Sequence, residues 1–91
     1  NGKTLEKYKN YNCIIVSDNR LIQKYISNFL LEKGMSCVIS DSIQNSFEWI
    51  EIFRNKGRKF DFIFVDEIIN YVDKASDFFE KCYNDINMNE Y

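Results

Sequence analysis

Three short apolar runs punctuate the chain: "CIIV" at 13–16, "CVI" at 37–39 and "FIFV" at 62–65. None shows helical spacing, and each has the length and continuity of a strand covered on both faces, as in a parallel sheet. Between the first two runs, Leu21, Ile22, Tyr25, Ile26, Phe29 and Leu30 recur at the spacing of one helical stripe, which predicts a helix from Arg20 to Lys33. Gly34 marks its end, and Asp18 or Asn19 is placed to cap its start by accepting backbone N–H bonds. A second helix is expected to begin at Asn45 or Ser46, with Phe47, Ile50 and Phe53 on one face and Gly57 closing it. Trp49 and Ile52 fall off that stripe; a wide apolar face accounts for them more simply than a partner patch does. After "FIFV", Asp73 is the candidate cap of a third helix carrying Ala75, Phe78, Phe79, Cys82, Tyr83 and Ile86 on one side.

Strand, helix, strand, helix, strand, helix is the order that gives an α/β fold: a parallel sheet with right-handed crossovers and helices on both faces. Residues 1–11 are polar, with Leu5 and Tyr8 as anchors, and read as a linker or N-terminal extension. Residues 12–91 then form one domain of three β/α units ending in a polar tail. In this arrangement the third strand lies at the sheet's edge with a near-continuous apolar sequence, a setting that invites pairing with another strand. The rest of a longer parent polypeptide is the expected source of further strands.

Composition narrows the functions. The chain has 91 residues, 45% of them hydrophobic and 16% aromatic, enough for one globular core. Its net charge is -2, and its basic residues are scattered, so the electrostatic footprint of a nucleic-acid binder is missing. No apolar run approaches the roughly 20 residues that cross a bilayer, and the start lacks a signal peptide's apolar centre, so no membrane contact and a cytoplasmic location are expected. Cys13, Cys37 and Cys82 are widely spaced, and reduced core thiols are the simplest reading. Histidine is absent. That removes Ser/His/Asp and Cys/His nucleophilic sites and most zinc sites, and leaves carboxylates to carry any chemistry.

Two carboxylates stand out because they follow buried strands: Asp18 after the first and Asp66 after the third. In a sheet of order 2-1-3 the ligand crevice lies beyond the carboxyl ends of strands one and three, where strand order reverses, so the two acids are expected to face each other. At ~5 Å they would repel by roughly 3 kcal/mol at an effective dielectric near 20, which a hard divalent cation relieves. Mg2+ suits best, taking one or two carboxylates, a carbonyl and several waters. With its charge partly neutralised, one carboxylate can attack phosphorus and form an aspartyl phosphate. The competing reading is that each Asp is a helix cap or turn residue and nothing more.

"CIIVSDNRLIQKYISNFLLEKGMSCVIS" followed by "FDFIFVDEIIN" resembles the receiver domain of response regulators and hybrid histidine kinases, from residue 12 to about 86. The resemblance implies a flavodoxin-like α/β fold and membership of a two-component phosphorelay. It makes Asp66 the phosphoacceptor, Asp18 a Mg2+ ligand, and Ile68 the residue whose backbone carbonyl completes the metal shell. Ser17 stands where the family carries the first acid of a pair, which lowers the site's charge and leaves Ser17 a weak contributor through water. Ile69 and Asn70 replace the usual Met-Pro turn, and Glu67 is unusual beside the acceptor. The family's Ser/Thr on strand four and Lys on strand five have no counterpart in these 91 residues.

The implied partner is a histidine kinase or histidine phosphotransfer domain, because a chain without histidine is no donor. On this reading the chain is a phosphoacceptor, not an independent enzyme. The alternative is a pseudo-receiver, an interaction or dimerisation module that keeps the fold without the switch. A third reading, a P-loop nucleotide hydrolase fragment, rests on "FIFVDE" and on "GKT" at 2–4, but the phosphate loop's strand and first glycine are missing upstream.

Overall fold

The computed structural model of the protein describes residues 8–69 and 73–84. β1 (Asn12–Val16), β2 (Ser36–Ser40) and β3 (Phe62–Val65) form a parallel sheet in the order β2-β1-β3. The crossovers are α1 (Arg20–Glu32) and α2 (Ile43–Asn55). Past β3, a two-residue antiparallel ladder of β4 (Ile68–Ile69) with β5 (Asp73–Lys74) leads into α3 (Ala75–Asn84). The domain therefore has flavodoxin-like α/β topology, with the strand order and flanking helices that the sequence pattern predicts.

Local chemistry sets the helix limits. Asn19 caps α1: its side-chain oxygen accepts from the N–H groups of Leu21 (2.9 Å) and Ile22 (3.1 Å), so Asp18 is left to other work. α2 begins two to three residues earlier than the apolar spacing suggests, because the Ser42 hydroxyl accepts the Asn45 N–H at 3.0 Å and brings Ile43 into the first turn. Gly57 follows α2 at φ 70°, and a Cβ there would meet nothing within 4 Å, so glycine serves the left-handed backbone and not a close approach. Asp73, the expected cap of α3, lies in β5 two residues before the helix, and the Asp77 carboxylate in the first turn accepts the Lys74 N–H at 3.3 Å.

Strand alternation divides the interior. Ile14 and Val16 point into a core completed by Ile50 and Phe53 of α2, Phe60, Ile69, and Phe78 and Cys82 of α3. Phe53 stacks on Phe60 at 4.1 Å and Phe47 meets Phe78 at 5.0 Å, which places α2 and α3 side by side on this face. Trp49 packs against the same core and meets Phe53 edge to face, whereas Ile52 is exposed.

Cys13 and Ile15, buried and of opposite parity, point to the other face beneath α1. There Ile22, Ile26 and Leu30 are half-buried, but Leu21, Tyr25 and Phe29 are 79, 73 and 53% exposed. The expected stripe of six thus splits into an inner and an outer row. α3 narrows in the same way: Phe78 and Cys82 are buried, Phe79 and Tyr83 exposed, and Ile86 lies outside the described residues. None of the three cysteines is in a disulfide, and Cys13 lies opposite Cys37 in the β1–β2 register. Burial, and secondarily the neighbouring Cys37, pushes the Cys13 thiol up to about 12. Among the described residues, no helix is long and apolar enough to cross a membrane.

Candidate functional site at the C-terminal end of the sheet

The register of the three strands builds the site. Val16 lies opposite Ser40 of β2 and Val65 of β3, so the next row sets Ser17 between Asp41 and Asp66. Two backbone bonds carry the ladder into that row: Ser17 N–H to the Ser40 carbonyl and Asp66 N–H to the Val16 carbonyl, each 2.9 Å. Side chains in one row of a sheet share a face, and the Ser17 hydroxyl accordingly donates to Asp66 Oδ2.

Ser17 is fully buried and its polar groups are satisfied. Its hydroxyl oxygen accepts the Asn19 N–H at 3.1 Å, and its carbonyl accepts from Gln23 Nε2 at 2.5 Å. The β1–α1 turn is thereby tied to the end of β3 through one small side chain. Asp66 is half-buried, and Asp18 is exposed.

Asp18 falls on the β2 side of this row. With Asp41, Arg20, Gln23, Ile39 and Asn45 it lines an open cleft of about 520 Å3 between the ends of β1 and β2 and the first turns of α1 and α2. Ser17 is thus in direct contact with Asp66. Asp41 is the acid that the sequence reading passed over, although "CVIS" followed by Asp41 repeats the signature of an apolar run ending on an acid. Gln23 carries no such signal; it reaches Ser17 because a helix leaving β1 turns that position back over the strand.

Ile68 is two residues beyond Asp66. The Ala75 N–H donates to the Glu67 carbonyl at 2.9 Å, which makes Ile68 and Lys74 a non-hydrogen-bonded pair and leaves the Ile68 carbonyl out of the β4–β5 ladder. The groups here that could ligate a metal, the Asp18 and Asp66 carboxylates, the Ser17 hydroxyl and the Ile68 carbonyl, all offer oxygen, the chemistry of a hard cation and not of zinc or copper. Among the described residues, no three Cys, Asp or Glu side chains gather as a ready metal-ligand group. Gly2, Lys3 and Thr4 of the phosphate-loop reading lie outside the described residues.

The fold and this crevice define a small parallel α/β domain of flavodoxin-like topology. Compared with protein-family models, curated proteins and solved structures, the chain gives no significant match in any of the three.

Proposed function

We propose that the domain is a receiver-like phosphoacceptor of two-component signalling, working in the cytoplasm and taking a phosphoryl group on Asp66. The observation that supports this reading is the position of Asp66 just past the C-terminal end of β3, bonded to Ser17 just past the end of β1, where an open α/β sheet of this order collects its ligands. The donor is a phosphohistidine of a histidine kinase or a histidine phosphotransfer domain. A carboxylate oxygen of Asp66 attacks phosphorus, the P–N bond breaks, and the imidazole nitrogen takes a proton from solvent as it leaves.

Ser17 holds the Asp66 side chain in position for that attack, and Gln23 and the Asn19 N–H hold Ser17. The oxygen donors fit Mg2+, with Asp18, Asp66 and the Ile68 carbonyl as ligands and Ser17 contributing through water. When bound, the ion offsets the negative charge of the acceptor and the incoming phosphoryl group. With serine in place of a third acid, the site carries one negative charge fewer and its metal affinity is correspondingly low. The acyl phosphate brings close to two negative charges to the β1–α1 and β3–β4 loops, the change a partner reads.

The test is an NMR titration of the whole chain with beryllofluoride and Mg2+. Amide shifts concentrated at Asp66, Glu67 and Asp18 are expected, and a spectrum that does not move there rejects the reading. One observation favours a second reading, the pseudo-receiver: a serine hydroxyl, and not a second acid, stands beside Asp66 and donates to its Oδ2. Under it, Asp66→Asn alters neither Mg2+ affinity nor assembly.

A further inference from the structure

A second open cleft, of about 520 Å3, lies at the other end of the sheet, where the strands begin. Asn12 starts β1, Ser36 starts β2 and Asp61 immediately precedes β3, and all three line it. The cations are Lys9, Arg58 and Lys59. Residues that lie about half the chain apart in sequence thus meet in one place. In a protein of net charge -2, this cleft sets three cations against one acid.

Arg58 is held in position by the local fold. Gly57 takes a left-handed backbone after α2, its N–H bonds to the Arg54 carbonyl at 2.9 Å, and the Arg58 N–H returns to the Phe53 carbonyl at 2.8 Å. That reversal sets the guanidinium over the Phe53 ring, 4.7 Å from its centre, and Nη2 donates to Asn12 Oδ1 at 3.1 Å. A cation just past a helix C-terminus ordinarily serves the helix dipole. This one crosses to β1 instead. Asn12 fixes the rest of the wall: its amide donates to the Lys59 carbonyl at 3.4 Å, and its backbone pairs both ways with Asp61. In that exchange Asp61 Oδ2 accepts the Asn12 N–H at 2.8 Å, which engages one oxygen of the cleft's acid.

We propose that this cleft binds the phosphomonoester of a small polyhydroxylated molecule, a sugar phosphate in class, with the phosphoryl group on Arg58, Lys59 and Lys9. Asn12 occupies one of the five guanidinium donors, and a planar fork of this kind suits two phosphoryl oxygens. Three cations against one acid leave an excess of two positive charges, the match for a phosphomonoester, which carries close to two negative charges at neutral pH. A carboxylate would offset half of that. The cleft has the volume of a small-molecule site, more than a phosphoryl group fills. Asn10, Asn12 and Ser36 line the remainder with amide and hydroxyl groups, which suit ligand hydroxyls, and no aromatic ring lines it for a base to stack on. The site makes no use of Asp66 and stands apart from the receiver reading.

Titration of the full chain with glucose 6-phosphate, followed by amide NMR shifts, tests the proposal. Shifts at Asn10, Asn12, Ser36 and Lys59 are expected, with a Kd below about 1 mM. Inorganic phosphate should move the same amides about tenfold more weakly, and glucose should move none. Arg58→Lys keeps the charge and loses the fork, and should weaken glucose 6-phosphate about tenfold; Lys59→Gln should weaken it as well. Circular dichroism checks that both variants remain folded. Shifts confined to Asp18 and Asp66, inorganic phosphate binding as tightly as the sugar phosphate, full affinity in both folded variants, or no binding at millimolar ligand would each overturn the proposal.

Discussion

The two faces of the sheet are built from the same three strands but differ in what covers them. On one, α2 and α3 close over Ile14 and Val16 with stacked aromatics, and Phe78 and Ile50 are almost without solvent contact. On the other, α1 buries Cys13 and Ile15 of the central strand but leaves Phe62 and Ile39 of the flanking strands, and its own Leu21, Tyr25 and Phe29, largely open. The residues are equally apolar on both sides. One helix spans about 10 Å, and a three-stranded sheet is wider than that, so a single helix covers the middle strand and not the edges. Apolar character alone therefore does not mark the core; coverage does.

The sharpest way to break this contrast is to empty the filled face. Phe78→Ala should cost about 3–5 kcal/mol in chemical denaturation, a large share of the stability of so small a domain. A loss near zero would mean that α3 does not close the core. The next effect is alkaline and belongs to the α1 face. The fold holds Cys13 as the neutral thiol, so its contribution is intact below the ordinary thiol pKa of 9.0 and is lost as pH rises from there toward 12. Urea midpoints should fall across that window, and fall less steeply in Cys13→Ala. Smaller again is Ser42→Ala, which removes the cap of α2 and should cost about 1 kcal/mol. Last comes Tyr25→Ser on the outer row of α1, expected to shift stability by no more than about 0.5 kcal/mol. A larger loss there would show that something covers α1 in solution.

The sequence made the strands legible because parallel strands buried on both faces need unbroken apolar runs, and 13–16, 37–39 and 62–65 all fall within observed strands. Helical spacing found α1 but not which of its apolar residues are inside, since a stripe wide enough to contain Tyr25 and Phe29 cannot report where the neighbouring layer ends. The start of α2 was misplaced because periodicity reads side-chain burial, while the helix begins at a hydroxyl cap. β4 and β5, two residues each, are too short for any periodic signal. At the site, apolar runs ending in acid pointed to Asp66 and Asp18, but it takes the strand register to see that Ser17, one residue earlier, is the side chain in Asp66's row. A shift of one residue moves a side chain to the opposite face, and no pattern of acids alone resolves that.

The placement of β1 also governs the order of assembly. The strand that comes first in the chain sits in the middle of the sheet, and its contacts with β3 join residues 49 apart, as Asn12 with Asp61 and Ser17 with Asp66 do. During synthesis β1, α1 and β2 emerge first and can associate locally, but the remaining side of β1 waits until β3 has left the ribosome. Ser17 meets its carboxylate only where β3 docks on β1, so closure of the sheet and completion of the crevice at its end go together.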